Sequence, residues 1–72
     1  MKIIDNVKHS DGVWIQAVVD TTAELTTLDN DCKAFFKTND KPIQGSIVYV
    51  TGTGDFYVKN AAGEYIKAGA SE

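Results

Sequence analysis

The chain contains no arginine. All seven basic residues are lysines, set against ten acidic residues, for a formal net charge of −3. Without the planar guanidinium fork that grips phosphate and base edges, and with the balance tipped to acid, nucleic acid is not an expected partner. Cysteine occurs once, at Cys32, so an internal disulfide is impossible, and a lone thiol suits a chain made in a cytoplasm. Histidine also occurs once, at His9, and no cluster with metal-ligand spacing is present, so neither metal nor cofactor is expected. No apolar run approaches the ~20 residues of a helical membrane span. The start, Met1-Lys2-Ile3-Ile4-Asp5, does not read as a signal peptide. A soluble protein that does not enter a membrane is the expectation.

Size adds a further scarcity. Residues 1–72 are expected to form one small β-rich domain, and a chain of this length buries only roughly 60% of the surface it exposes when unfolded. Disulfides and metals, the usual staples of such domains, are missing. Oligomerisation or docking on a partner is the remaining route to a secure fold.

What the chain does have is strand and turn chemistry, concentrated in its second half. Ser46 to Thr51 is rich in β-branched and aromatic residues, which fit a pleated surface. Gly52-Thr53-Gly54-Asp55 breaks the pattern as a hairpin turn, and Phe56-Tyr57-Val58-Lys59 resumes it. Asn60-Ala61-Ala62-Gly63 has Asn at the first position of a type I turn and Gly at the left-handed position that forms a G1 bulge. Glu64 to Ala68 then closes a three-stranded meander. Pairing Thr51 with Phe56, and Val58 with Ile66 across the bulge, sorts the side chains onto two faces. One holds Ile47, Tyr49, Phe56, Val58, Ile66 and Ala68; the other holds Val48, Val50, Tyr57, Lys59, Tyr65 and Lys67. The first set is almost wholly apolar and is expected to be the core. The second is mixed, with lysine stems able to lie along tyrosine rings.

The first half reads less regularly. Lys2 to Val7 is an expected edge strand, His9-Ser10-Asp11-Gly12 a turn, and Val13 to Val19 the partner strand. The odd positions Val13, Ile15, Ala17 and Val19 should face the core, leaving Trp14 on the opposite side. Thr21 followed by Glu24 fits a capping box, which predicts a short helix over about Thr22 to Leu28 with Leu25 and Leu28 inward. Asp29-Asn30-Asp31 reads as loop. Cys32 to Lys37 fits either period and is read as a strand, and Thr38 to Pro42 is a loop. Gly69 to Glu72 is a small-residue tail, expected to fray. The fold class expected is therefore α+β and mostly β, with about five short antiparallel strands and one short helix.

No catalytic group stands out. Cys32 has no base near it in sequence, and His9 sits in a turn. Asp29-Asn30-Asp31 resembles the opening of a calcium loop, but the sixth and twelfth positions hold Ala34 and Asp40 instead of the required glycine and glutamate. Gly52-Thr53-Gly54 is followed by a strand and by no Gly-Lys-Ser/Thr, so it is a turn and not a phosphate loop. The chain is expected not to be an enzyme. The informative set is Trp14, Tyr57 and Tyr65 with Lys59. Aromatics beside lysine on a mixed face are residues from which interfaces are built. These four are the candidate binding residues, for another protein or for a carbohydrate.

Asn39-Asp40-Lys41-Pro42, Gly45-Ser46 and the strand to Val50, then Thr53-Gly54-Asp55-Phe56-Tyr57 and Gly63-Glu64-Tyr65-Ile66, follow one another in a characteristic order. The order resembles segments of bacteriophage structural proteins, in small virion proteins and in head-fibre and tail-fibre modules. There a Lys-Pro…Gly-Ser lead-in precedes a strand, a Thr-Gly-x-x-Tyr hairpin follows, and a strand closes on an aromatic residue. The likeness spans roughly residues 20 to 67 and begins at Asp20–Leu25. It implies a virion location after synthesis in a host cytoplasm, and a structural role such as capsid decoration or head fibre. The partner would be a second copy or a larger coat protein, engaged through Trp14, Tyr57 and Tyr65, with a sheet edge paired to a neighbour. The alternative is a small monomeric module that binds sugar or inhibits a host protein.

Overall fold

The computed structural model describes residues 1–68. It holds five strands: β1 (Lys2–His9), β2 (Gly12–Val19), β3 (Ile47–Val50), β4 (Asp55–Lys59) and β5 (Tyr65–Lys67). A 3-10 turn over Thr22–Thr26 and a helix, α1 (Leu28–Phe36), lie between β2 and β3. The strands form one sheet in the order β1-β2-β3-β4-β5, with the helical segment packed on one of its faces. The domain is α+β and mostly β, as expected. The expected tail, Gly69 to Glu72, lies outside the described residues.

Both hairpins of the meander form where their turn residues predict. Gly63 adopts φ +87°, its N–H bonds the Asn60 carbonyl at 3.1 Å, and the Asn60 side chain accepts the Glu64 N–H at 2.9 Å. This is the bulged turn, and it sets Val58 opposite Ile66. The first hairpin differs in register from the expected one. Tyr49, not Thr51, faces Phe56, because the loop is Thr51–Gly54. Thr51 and Gly52 are held instead by the Val19 and Asp20 carbonyls at the end of β2, each at 2.9 Å. The pairing moves by two residues, so the division into two faces is unchanged.

Four expectations of element and pairing are overturned. Cys32 to Lys37 is no strand, and Asp29-Asn30-Asp31 is no loop: Asp29 to Phe36 belong to α1, which starts at Leu28 and is capped by Lys37, left-handed at φ 58°. The stripe Leu25, Leu28, Cys32, Phe36 supplies the inward face, with Leu28 and Cys32 fully buried. The helix expected over Thr22 to Leu28 is only a 3-10 turn, although its capping arm forms. The Glu24 carboxylate accepts the Asp20 and Thr21 N–H groups at 2.8 and 3.1 Å. Finally, β2 and β3 are parallel, so the sheet is mixed and not wholly antiparallel. A parallel pair needs a long crossover, and the 3-10 turn with α1 is that crossover.

The parallel pairing also inverts the expected core. Ala17 and Val19 lie beside Val48 and Val50. The covered face is therefore Val13, Ile15, Ala17, Val19, Val48 and Val50 under Leu28 and Cys32, with Tyr57 and Tyr65 packed at its margin. The set Ile47, Tyr49, Phe56, Val58 and Ile66, read as core from the sequence, lies on the opposite, open face.

Beyond β3 toward its N-terminal side, β2 is met by Lys41–Ile43. Val13 donates to the Lys41 carbonyl at 3.1 Å and accepts from Ile43 at 3.0 Å. The gap between the two stretches is filled by Ser46, buried, whose hydroxyl accepts the Ile15 N–H at 3.2 Å. This close approach fixes Gly12: a Cβ there would stand 2.5 Å from the Lys41 carbonyl oxygen and 2.7 Å from Ile43. Gly12→Ala should therefore destabilise the fold by about 2–3 kcal/mol, the cost of a forced backbone shift. Gly63→Ala, where nothing lies within 4 Å, carries only the left-handed backbone cost of about 1 kcal/mol. Urea unfolding of the two variants tests the contrast.

Candidate functional site

The four candidate binding residues divide between the two faces. Tyr57, Lys59 and Tyr65 lie on the helix-covered side and Trp14 on the open side. They do not form one surface.

Lys59 is almost completely buried, at 3% exposure. Its ammonium bonds both carboxylate oxygens of Asp29, at 2.9 and 3.0 Å, and stands 5.3 Å from the centre of the Tyr65 ring. The Tyr65 hydroxyl donates to the same carboxylate at 2.9 Å. Asp29 comes from the first turn of α1, where a carboxylate also complements the helix dipole. Burial, together with the hydrogen bond to Asp29, holds the Tyr65 hydroxyl well above the ordinary tyrosine range. Two shallow clefts flank the triad: one of about 450 Å³ beside Asp11, Lys41 and Asn60, the other of about 350 Å³ beside Leu25 and Glu64. Neither receives a free charge from the triad, because Lys59 and Asp29 neutralise one another. The arrangement is a clasp between helix and sheet, which is why a lysine can lie on a covered face.

The other reactive groups are separate. Cys32 is buried beneath α1, and burial, reinforced by Asp29 and Asp31, pushes its thiol up to about 11, so it stays protonated near neutrality. His9 is exposed at the β1–β2 hairpin. Among the described residues no group of three His, Cys, Asp or Glu side chains could hold a metal ion.

The open face is the prominent surface. Cross-strand pairing places Val7, Trp14, Val18, Ile47, Tyr49, Phe56, Val58 and Ile66 on it. Trp14, Val18, Ile47, Tyr49 and Val58 are half-buried by their neighbours, while Val7, Phe56 and Ile66 are 48–49% exposed. Tyr49 and Phe56 pack with ring centres 4.8 Å apart. The Trp14 indole N–H is satisfied by the Gly45 carbonyl at 2.8 Å, leaving its apolar rim on the surface. Contiguous apolar patches of this breadth are uncommon on monomers and mark interaction sites. Ile47, Tyr49, Phe56, Val58 and Ile66 were expected in the core, whereas Trp14 was expected on the side where it lies. The available signal was Lys59: a lysine on the covered face requires a carboxylate, and Asp29 with Leu25 and Cys32 lies on one helical stripe that supplies it.

No protein-family model matches the chain, and no curated protein or solved structure is significantly similar to it.

The clasp makes two expectations. Asp29→Ala strands the buried Lys59 ammonium and should cost about 3 kcal/mol, the lower end of the range for broken buried pairs because Asp29 is partly exposed. Asp29→Ala combined with Lys59→Met should recover much of that loss, measured by urea unfolding. The second expectation concerns pH. The Tyr65 hydroxyl is raised in the folded state, so its contribution is complete below the ordinary tyrosine value of 10.0 and is lost as pH climbs beyond it. Tyr65→Phe should flatten the fall in stability above pH 10.0, followed by thermal unfolding across an alkaline series.

Proposed function

We propose that the chain is a structural component of a phage-type virion, a capsid decoration, head fibre or other accessory protein. It acts by burying its open sheet face on a second copy or on a larger coat protein, not by catalysis. The observation that carries this reading is the one-sided sheet: helix and core cover one face, while Trp14, Tyr49, Phe56 and Ile66 stand on the other. Tyr and Trp are favoured anchors in such surfaces. The order of motifs from Asn39 to Ile66, similar to phage structural segments, supports the virion setting. The contact surface differs from the one expected from sequence. Trp14 remains in it, while Lys59 and Tyr65 serve the clasp and Tyr57 packs at the margin of the core.

A second reading, a monomeric module that binds a sugar or a host protein, draws support from Trp14 and the Tyr49–Phe56 pair as an aromatic platform. Light scattering from micromolar to millimolar concentration, with co-sedimentation on particles, separates the two. Assembly or particle binding is expected, and Phe56→Ala should weaken it by roughly 2 kcal/mol or more, as for a central anchor. A chain that stays monomeric and never accompanies particles would overturn the proposal.

A further inference from the structure

We propose that the open face is self-complementary. Two copies pack face to face as a sandwich about a two-fold axis that runs across the strands, with Asp5 of each copy over Lys2 of the other. The proposal rests on the assembly reading above and goes beyond it by naming the occupant of the face and the way it sits.

The argument begins with a bulge. Ile3 pairs with Ala17, but Asp5 pairs with Gln16, so one extra residue, Ile4, is inserted in β1. In a regular strand Lys2 and Asp5, three apart, would point to opposite faces. The bulge returns both to the open face, where Lys2 lies beside Val18 and Asp5 beside Gln16. Both are exposed, and Lys2 makes no ion pair among the described residues.

Cross-strand pairing then sorts the face into rows. One row runs Asp5, Gln16, Ile47, Val58, Ile66, and the next runs Lys2, Val18, Tyr49, Phe56. A two-fold across the strands, midway between these rows, exchanges them. Asp5 comes to the partner's Lys2, Gln16 to the partner's Val18, Ile47 to the partner's Tyr49 and Val58 to the partner's Phe56. Opposite charges meet twice at one rim, and aliphatic side chains meet aromatic ones in the centre. The other simple two-fold, along the strands, lays β1 on the partner's β5, sets Asp5 against Ile66 and leaves Lys2 with no carboxylate opposite it. Charge complementarity selects the first.

Extent agrees with this choice. Five strands at about 4.8 Å spacing span roughly 24 Å. With rows of side chains some 15 Å deep, the face has a flat footprint of roughly 360 Å² before side-chain relief is counted, which suits a modest, concentration-dependent dimer below the ~800 Å² of accessible surface per partner of a standard interface. A single docked strand would leave most of it wet, whereas a second sheet at about 10 Å covers both exchanged rows.

The test is charge exchange, read by sedimentation equilibrium. Lys2→Glu alone and Asp5→Lys alone should each weaken self-association about tenfold or more, because the symmetry repeats each clash. The double variant should recover it. An equimolar mixture of the two single variants should also recover it, as a heterodimer in which both charge pairs are restored. Circular dichroism checks that these exposed changes leave the fold intact. Single reversals that associate like the unaltered chain, while Phe56→Lys disperses it, would overturn this two-fold and leave the assembly reading standing. A chain that binds particles yet stays monomeric to millimolar concentration would overturn the sandwich in the same way.

Discussion

The clasp of Asp29, Lys59 and Tyr65 holds the molecule in its two-layer form. The helix has nine residues, too few to persist without tertiary contacts. Its apolar stripe is narrow, resting on Leu28 and Cys32 with Leu25 and Phe36 at the margins. One carboxylate on its first turn draws in a lysine from β4 and a tyrosine from β5. Those strands lie on the far side of the sheet from β1, so the clasp ties the latest part of the chain to its middle. A buried ion pair is a poor source of net stability when compared with an apolar filling. What it supplies is orientation: a helix rotated by one position would leave an ammonium in the core without a partner.

Much of the fold was legible because turn chemistry is local. The β1–β2 hairpin, the bulged turn at Gly63 and the pairing of Val58 with Ile66 all follow from a few adjacent residues. The division of the meander into two faces also followed, since alternation is a property of the strand itself. Which face would be covered did not follow, because that depends on a distant segment. Counting apolar residues favoured Ile47, Tyr49, Phe56, Val58 and Ile66. The fold instead buries the row of small valines and lets a tyrosine and a lysine, Tyr65 and Lys59, reach the helix with their polar ends satisfied by Asp29. The misreading of Cys32–Lys37 as strand removed the helix that makes this possible, and with it the crossover that makes β2 and β3 parallel. The helical stripe was present at Leu25, Leu28, Cys32 and Phe36, interrupted to the eye by Asp29-Asn30-Asp31 and two threonines. Of the candidate binding residues, Trp14 was placed on the open face from the alternation of β2. The rest of that surface was hidden by the inverted assignment of faces.

The two faces of the sheet thus divide the work. One holds the chain together; the other, rich in aromatic and branched side chains, is not covered by the helix. The polar edge of Trp14 is already bound to Gly45, so a partner meets an apolar surface with no hydrogen-bonding debt at that point. Small domains without disulfides have little margin, and burial of this face would add to it.

The bulge at Ile4 has a second effect, on the border of the sheet. β1 is the long border strand, and it is kinked there and studded with Lys2, Asp5 and Lys8; β5, at the other border, has only three residues. Neither offers a flat template on which another chain could hydrogen-bond its backbone. Lateral accretion, which repeats without limit and ends in fibres, is thereby discouraged. In the proposed sandwich, stacking through the broad side would be consumed by a single partner and would give a closed, countable complex instead of an endless one.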